Sequence, residues 1–426
     1  MASAFAAERR VGAAALGALL STFACSTDTH VGRADASAGP RESADAADAA
    51  DGGSVVTPAP EGEPYAHLDD WHLFTNAVKQ LPSQDVIPYD VNSPLFADYA
   101  SKRRFIYVPS GSKIGYSPTE KWRFPVGTIL VKTFSYLADA RDPSKGERLL
   151  ETRLLVHESG GWAPHTYEWN AEQTQATLNA AGDVVDVEFV DASGKTVSNG
   201  FTIPSASDCR TCHGKLGDTD TLGGRTRQLD LDHDYGGGPE NQIDHLTKLG
   251  LFDSVPEPYS AREHLVDPFG TAPLFDRVRS YFDGNCAECH EPGDSLGSLS
   301  GFWLDYASTA PDQPRANWGF CKQPASAGGA TCGKQFDVVP GEPDDSIIIC
   351  RVSSQIGKVK MPPLGRNLVH TEAVDLLTQW ITGIDGQCGA PAPVRDAGKP
   401  ASDAGGPASD AGPAPAHADS GAARDL

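Results

Sequence analysis

The chain has 426 residues, with 57 acidic side chains against 35 basic ones and a formal net charge of −22. That balance repels a phosphate backbone and argues against nucleic acid as a partner. The longest apolar stretch, Val11–Leu20, is too short to span a bilayer, which excludes a multi-pass membrane protein. Taken in order, residues 1–25 read as an export signal: Arg9 and Arg10 form a basic start, Val11–Leu20 an apolar centre, and small residues follow up to Cys25. The ending Ser21-Thr22-Phe23-Ala24-Cys25 is that of a lipoprotein signal with Cys25 as the lipidated residue, although Phe23 is larger than usual there. Ordinary signal cleavage is the alternative. Either reading places the chain outside the cytoplasm, in the periplasm or cell envelope, with membrane contact only through that anchor. Residues 26–62 are rich in Ala, Asp, Ser and Gly and read as a disordered tether. Residues 391–426, with a repeated PASDAG, read as a disordered tail.

Residues 64–205 carry short β-branched or alternating runs at 104–108, 128–134, 149–157, 165–169 and 184–190, separated by turn residues. They predict an antiparallel, sandwich-like β domain. Trp122, Trp162 and Trp169 read as packing residues. Residues 171–179 fit a short helix or a polar strand equally well.

The cysteines carry the chemistry. Four of the nine fall in two copies of C-x-x-C-H, Cys209–His213 and Cys286–His290. This is the attachment pattern of c-type haem. On one helical turn two thiols reach the two vinyl groups of one haem, and the next histidine faces its iron. A chain of this composition yields roughly 0.005 such matches by chance, so two copies are not coincidence. Zinc binding or a pair of disulfides is the competing reading. Export disfavours the first, and the second does not require the histidine twice. The expected cofactors are therefore two covalently bound haems c, with His213 and His290 as iron ligands.

Met361 is the only methionine besides Met1. It lies in Lys360-Met361-Pro362-Pro363 after the second motif, and a thioether there suits the sixth position of that haem. Helices are predicted at 274–282 and at 371–381, the latter capped by Thr371 and striped by Val374, Leu377 and Ile381. Helix, C-x-x-C-H, loops, Met-Pro and terminal helix is the order of a class I cytochrome c domain. The first haem has no methionine to use. His233, His245 and His264 are the candidates, with His245 preferred because residues 241–251 have helical spacing; an open site is the alternative. Asp230–Gly236 partly mimics a calcium loop but lacks its glycine and terminal glutamate in place. Cys321, Cys332, Cys350 and Cys388 predict two disulfides. The expected pairing is Cys321 with Cys332 and Cys350 with Cys388, the second stapling the terminal helix to a strand-like segment at 346–350.

Several longer stretches carry a resemblance: VIPYDVNSPLFADYASKRRFIYVPSG, FPVGTILVKTFSY, YEWNAEQTQATL, IPSASDCRTCH, AECHEPG and KMPPLGR. Together they resemble a family of exported bacterial dihaem c-type cytochromes with an N-terminal β-rich domain, over about residues 66–385. The resemblance implies haem binding and electron transfer outside the cytoplasm with a redox-protein partner. It carries over both sets of haem cysteines, His213, His290 and Met361. It also includes Lys102-Arg103-Arg104, which could pair with haem propionates or be a solvated strand end. The fold class expected is α+β: a β domain at 64–205, a first haem-binding segment at 206–258 at the junction, and a mainly α cytochrome c domain at 259–390. Electron transfer is the expected function. A peroxidase-like oxidoreductase with one open haem is the alternative.

Overall fold

A computed structural model describes residues 56–389 apart from 216–217, 294–296 and 326–329. The export signal, Cys25, most of the tether and the tail lie outside the described residues. After the small hairpin of β1 (Phe74–Asn76) and β2 (Leu81–Pro82), six strands form one antiparallel sheet in sequence order. They are β3 (Val86–Tyr89), β4 (Ser101–Tyr107), β5 (Ile129–Leu137), β6 (Glu147–Glu158), β7 (Gly161–Trp169) and β8 (Ala176–Leu178). Alternation along the strands gives the sheet two faces. On one face Phe105, Ile129, Val131, Leu154 and Tyr167 close over Leu68, Trp71 and Leu73. The register shift opposite Phe134 and Ser135 leaves Leu150 as an extra residue in β6. A bulge turns the chain by one side chain, so Leu149 enters this core while Leu150 enters another.

The opposite face is covered in two different ways. At one end the hairpin of β9 (Asp183–Val190) and β10 (Thr196–Ile203) packs Val187, Phe189, Phe201 and Ile203 on Phe134, Tyr136 and Leu150. At the other end Ile106 and Val108 join Ile114, Trp122, Leu229, Ile243 and Phe252. A second sheet layer therefore exists only as a hairpin, and the expected sandwich is confined to that end. Loop and helix fill the remainder, because no strand-forming run remains between β10 and the first C-x-x-C-H. Residues 171–179 resolve into a turn and then β8.

Helices dominate after residue 205, with two small strand pairs among them. These elements are α1 (Ala206–His213), β11 (Gly214–Lys215), β12 (Asp218–Thr219), α2 (Thr226–Leu229), β13 (Asp232–Asp234), β14 (Pro239–Asn241) and α3 (Gln242–Lys248). Then come α4 (Leu274–Asn285), α5 (Ile347–Ser353) and α6 (Thr371–Thr382). The core of this last part joins Val278 and Phe282 of α4 to Leu376, Leu377, Trp380 and Ile381 of α6, with Trp318, Phe320 and Val338 between. The expected strand at 346–350 is helical. Ile347 and Ile348 have strand propensity, but α5 buries both and packs on α6, and packing overrides propensity. Thr371 is the first residue of α6 and His370 the cap. The Thr371 hydroxyl bonds Tyr99 instead, at 2.8 Å.

The connection between β3 and β4 is a strap joining all parts. Asn92 N–H donates to Gln228 O, Phe96 N–H to Asn285 Oδ1, and Asn367 N–H and Leu368 N–H to Asp98. Gly284 permits the approach, since a Cβ there would lie 2.4 Å from Ser93 O.

Candidate functional site

The first C-x-x-C-H is helix α1 itself. Ser205 starts it with a reciprocal cap: Asp208 N–H donates to Ser205 Oγ, and Ser205 N–H to the Asp208 carboxylate. Cys209 and Cys212 are thus one turn apart on one helix, and both are free thiols. His213 closes the helix, and its Nδ1–H donates to Asp220 O at 2.8 Å. That bond fixes the tautomer and leaves Nε2 as the donor atom available to a metal. Burial lowers the His213 pKa to about 4, so the ring is neutral at pH 7.

The second motif follows the C-terminus of α4 as a tight turn. Cys286 N–H donates to Phe282 O, and Cys289 and His290 N–H both donate to Cys286 O. Its histidine repeats the arrangement of the first: His290 Nδ1–H donates to Phe302 O at 3.0 Å. Burial lowers the His290 pKa and pushes the thiols of Cys286 and Cys289 up to about 12 and about 11. There is no room for a side chain at Gly297, where a Cβ would lie 2.2 Å from Cys289 O.

The two motifs are neighbours. After burial, the charge of Cys212 is the next cause raising the Cys289 pKa. Lys121 bridges them, 3.0 Å from Asp220 and 3.4 Å from Glu288, which lies inside the second motif. Arg225 and Glu291 make a second link at 3.6 Å.

Met361 N–H donates to Arg351 O at 2.9 Å, and the Arg351 charge adds to burial in lowering the His290 pKa. The loop is held by Arg366, which is 3% exposed and whose guanidinium donates to the carbonyls of Arg351, Val352, Ser354, Met361 and Leu368. This one side chain satisfies the acceptors of an otherwise irregular segment.

The sheet contributes to the first motif, because α1 packs beside β7. On that face Arg104, Lys132, Arg153 and Thr166 stand directly opposite one another across β4, β5, β6 and β7. Lys102 is opposite Phe134, one step along the same face. Arg153 pairs with Glu151 through two bonds of 2.9 and 2.5 Å, and Arg104 lies 3.5 Å from Asp90. No carboxylate among the described residues pairs with Lys102 or Lys132. Lys132 has the Phe134 ring 5.0 Å away. Both side chains are half-buried. Desolvation lowers Lys102 to about 7 and Lys132 well below the ordinary lysine range.

The other candidate ligands have local partners. His245 bonds Glu240 at 2.8 Å and stacks on Tyr235 at 3.5 Å; neither belongs to the first motif. His264 stacks on Tyr259, and His233 faces Asp90. Asp230 in the calcium-like stretch is bonded to Arg262 and Asn241. The disulfides are Cys321–Cys388 and Cys332–Cys350, which corrects the expected pairing. Sequence proximity favoured Cys321 with Cys332. The fold instead brings the end of the domain back to Cys321 and lays helix α5 beside Cys332.

Sequence reasoning missed Lys132, Arg153, Lys121 and Arg366. A signal existed for the first two: strands that should alternate toward an apolar core carry cations at its centre. Against family models, curated proteins and solved structures, the chain finds no match.

Proposed function

We propose that this chain is an exported dihaem c-type cytochrome that exchanges electrons with a redox-protein partner, and that residues 259–390 form its class I cytochrome c domain. The observation carrying this reading is the repetition at both motifs. Each offers two cysteines outside any disulfide and one histidine, neutral at pH 7, whose Nδ1–H is tied to a backbone carbonyl. The four described cysteines outside the motifs are spent in disulfides, so the described cysteines left out of disulfides are those that C-x-x-C-H attachment requires.

Covalently bound haem supplies a reversible one-electron couple, at a higher potential where a thioether completes the iron's ligands. The chain's own residues do the rest. Asp220 O and Phe302 O orient the two imidazoles. Arg366 holds the Met361 loop, and Lys121 keeps the two motifs side by side. The acidic surface favours a partner with a basic patch. Cys25 would anchor the protein to a membrane of the cell envelope.

A second reading, a peroxidase-like enzyme with one open haem, draws on His245, which bonds Glu240 and stacks on Tyr235 rather than on any residue of the first motif. The test is a pyridine haemochrome count and intact mass on protein matured in an exporting host, followed by carbon monoxide on the reduced form. Two attached haems that ignore the gas are expected. One haem binding the gas would favour the enzyme, and peroxide turnover would then be measured. Fewer than two attached haems would sink both readings.

A further inference from the structure

Cations directly opposite one another on a sheet repel and destabilise it. Arg104, Lys132 and Arg153 nonetheless stand in one row across three adjacent strands, with Lys102 diagonal to Lys132. The chain as a whole carries a net charge of −22, so a concentration of positive charge inside it is the exception. Arg153 has Glu151 and Arg104 has Asp90, which leaves two ammonium groups without a carboxylate among the described residues. Burying such a cation is costly unless an anion compensates it. The row lies between the apolar clusters at the two ends of the sheet face.

We propose that Lys102, Arg104, Lys132 and Arg153 form a dicarboxylate-binding wall that takes the two propionates of the haem attached at Cys209 and Cys212. This rests on the reading of the first motif as a haem site. Location favours the propionates over a free acid. Helix α1, which carries both thiols and His213, packs beside β7, where Thr166 stands directly opposite Arg153, so a group attached to these cysteines lies against the wall. The count also matches, with two carboxylates for the two unpartnered ammoniums. Arg104 and Arg153, already held by Asp90 and Glu151, would serve as second donors to the same oxygens.

The test uses the full chain matured in an exporting host, as wild type and with Lys132→Met and Lys102→Met made separately. Methionine keeps the length and removes the charge. Haem count and mass are read first. A wild type with fewer than two haems would fail the dihaem reading itself, which separates that failure from this one. With both haems attached, each substitution is expected to lower the midpoint potential of one haem and leave the other unchanged, because a positive charge that disfavours the ferric state is lost. The propionate bending bands in the resonance Raman spectrum should shift with it. Dihaem variants with unmoved potentials and unmoved propionate bands would overturn the proposal. If one variant does not mature, the other carries the same readouts, and Lys132→Arg should restore the wild-type bands. A free dicarboxylate is tested with succinate added to the wild-type holoprotein. No saturable change in melting temperature is expected. Saturable stabilisation lost in Lys132→Met, with propionate bands unchanged, would assign the wall to a free acid and overturn the haem assignment.

Discussion

The same five-residue pattern is supported in two different ways. Cys209–His213 is a capped helix laid against a β-sheet, and its surroundings are charged: Arg153, Lys132 and Lys121 all act on His213. Cys286–His290 is a turn at the end of α4, with Cys286 packed on an apolar helical cluster. Both reach the same histidine arrangement, with Nδ1–H on a carbonyl. The histidine bond is therefore common to both copies, while backbone form and neighbourhood differ. One neighbourhood is lined by cations, and the other is an apolar helical core.

The sharpest way to break this comparison is to delete each attachment site in turn. Replacing Cys209 and Cys212 by Ser should halve the haemochrome signal and leave any methionine–iron charge-transfer absorbance intact. Replacing Cys286 and Cys289 should halve the signal and abolish that absorbance. The same absorbance change in both variants would show that Met361 does not serve the second motif.

The disulfides should sharpen the contrast in stability. By the loop-entropy argument, Cys321–Cys388, closing 67 residues, contributes about 4 kcal/mol, and Cys332–Cys350, closing 18, about 3 kcal/mol. Paired Cys→Ala variants in denaturant melts should lose stability in that order. Unfolding followed at the Trp318–Trp380 stack, whose rings are 6.1 Å apart, should fall first.

Arg366→Ala should cost about 3 kcal/mol, because five carbonyls lose a charged donor. It should also weaken Met361 ligation without changing the haem count. Arg366→Lys should recover less than half, since a single ammonium cannot span five acceptors. Loss of a whole haem in Arg366→Ala would place Arg366 in attachment rather than in positioning.

The smallest effect concerns His370, between the two neighbourhoods. It stacks on Phe96 at 4.1 Å, and burial, with Lys102 and Arg366, lowers its pKa to about 3. An unfolded imidazole protonates near 6.5. Between the two values the unfolded chain binds the extra proton, so stability falls as pH drops from about 6.5 toward 3. His370→Phe should flatten that part of the acid limb in urea melts at stepped pH.

Much of the β region was legible from its strand runs, and α4 and α6 from their periodicity, because their apolar residues report burial directly. The C-x-x-C-H residues were legible because the chemistry demands fixed spacing. The disulfide pairing was not, since chain proximity says nothing of how Cys388 returns to Cys321. Helix α5 was hidden by three consecutive isoleucines whose packing on α6 outweighs their propensity. The row Arg104–Lys132–Arg153 depends on strand register. Register lies in the pairing of distant segments, and no single strand displays it.

The Cys321–Cys388 bridge has a consequence for the end of the chain. Thirty-eight residues follow Cys388, and whatever pulls on them, a partner or a processive protease, meets the bridge before it meets α6. Tension entering there passes sideways to Cys321 and the strand-like bridge Phe320–Val338 beside it. Helix α6 is also held at its start by the Tyr99–Thr371 bond. It is clamped at both ends and cannot be peeled from its last turn.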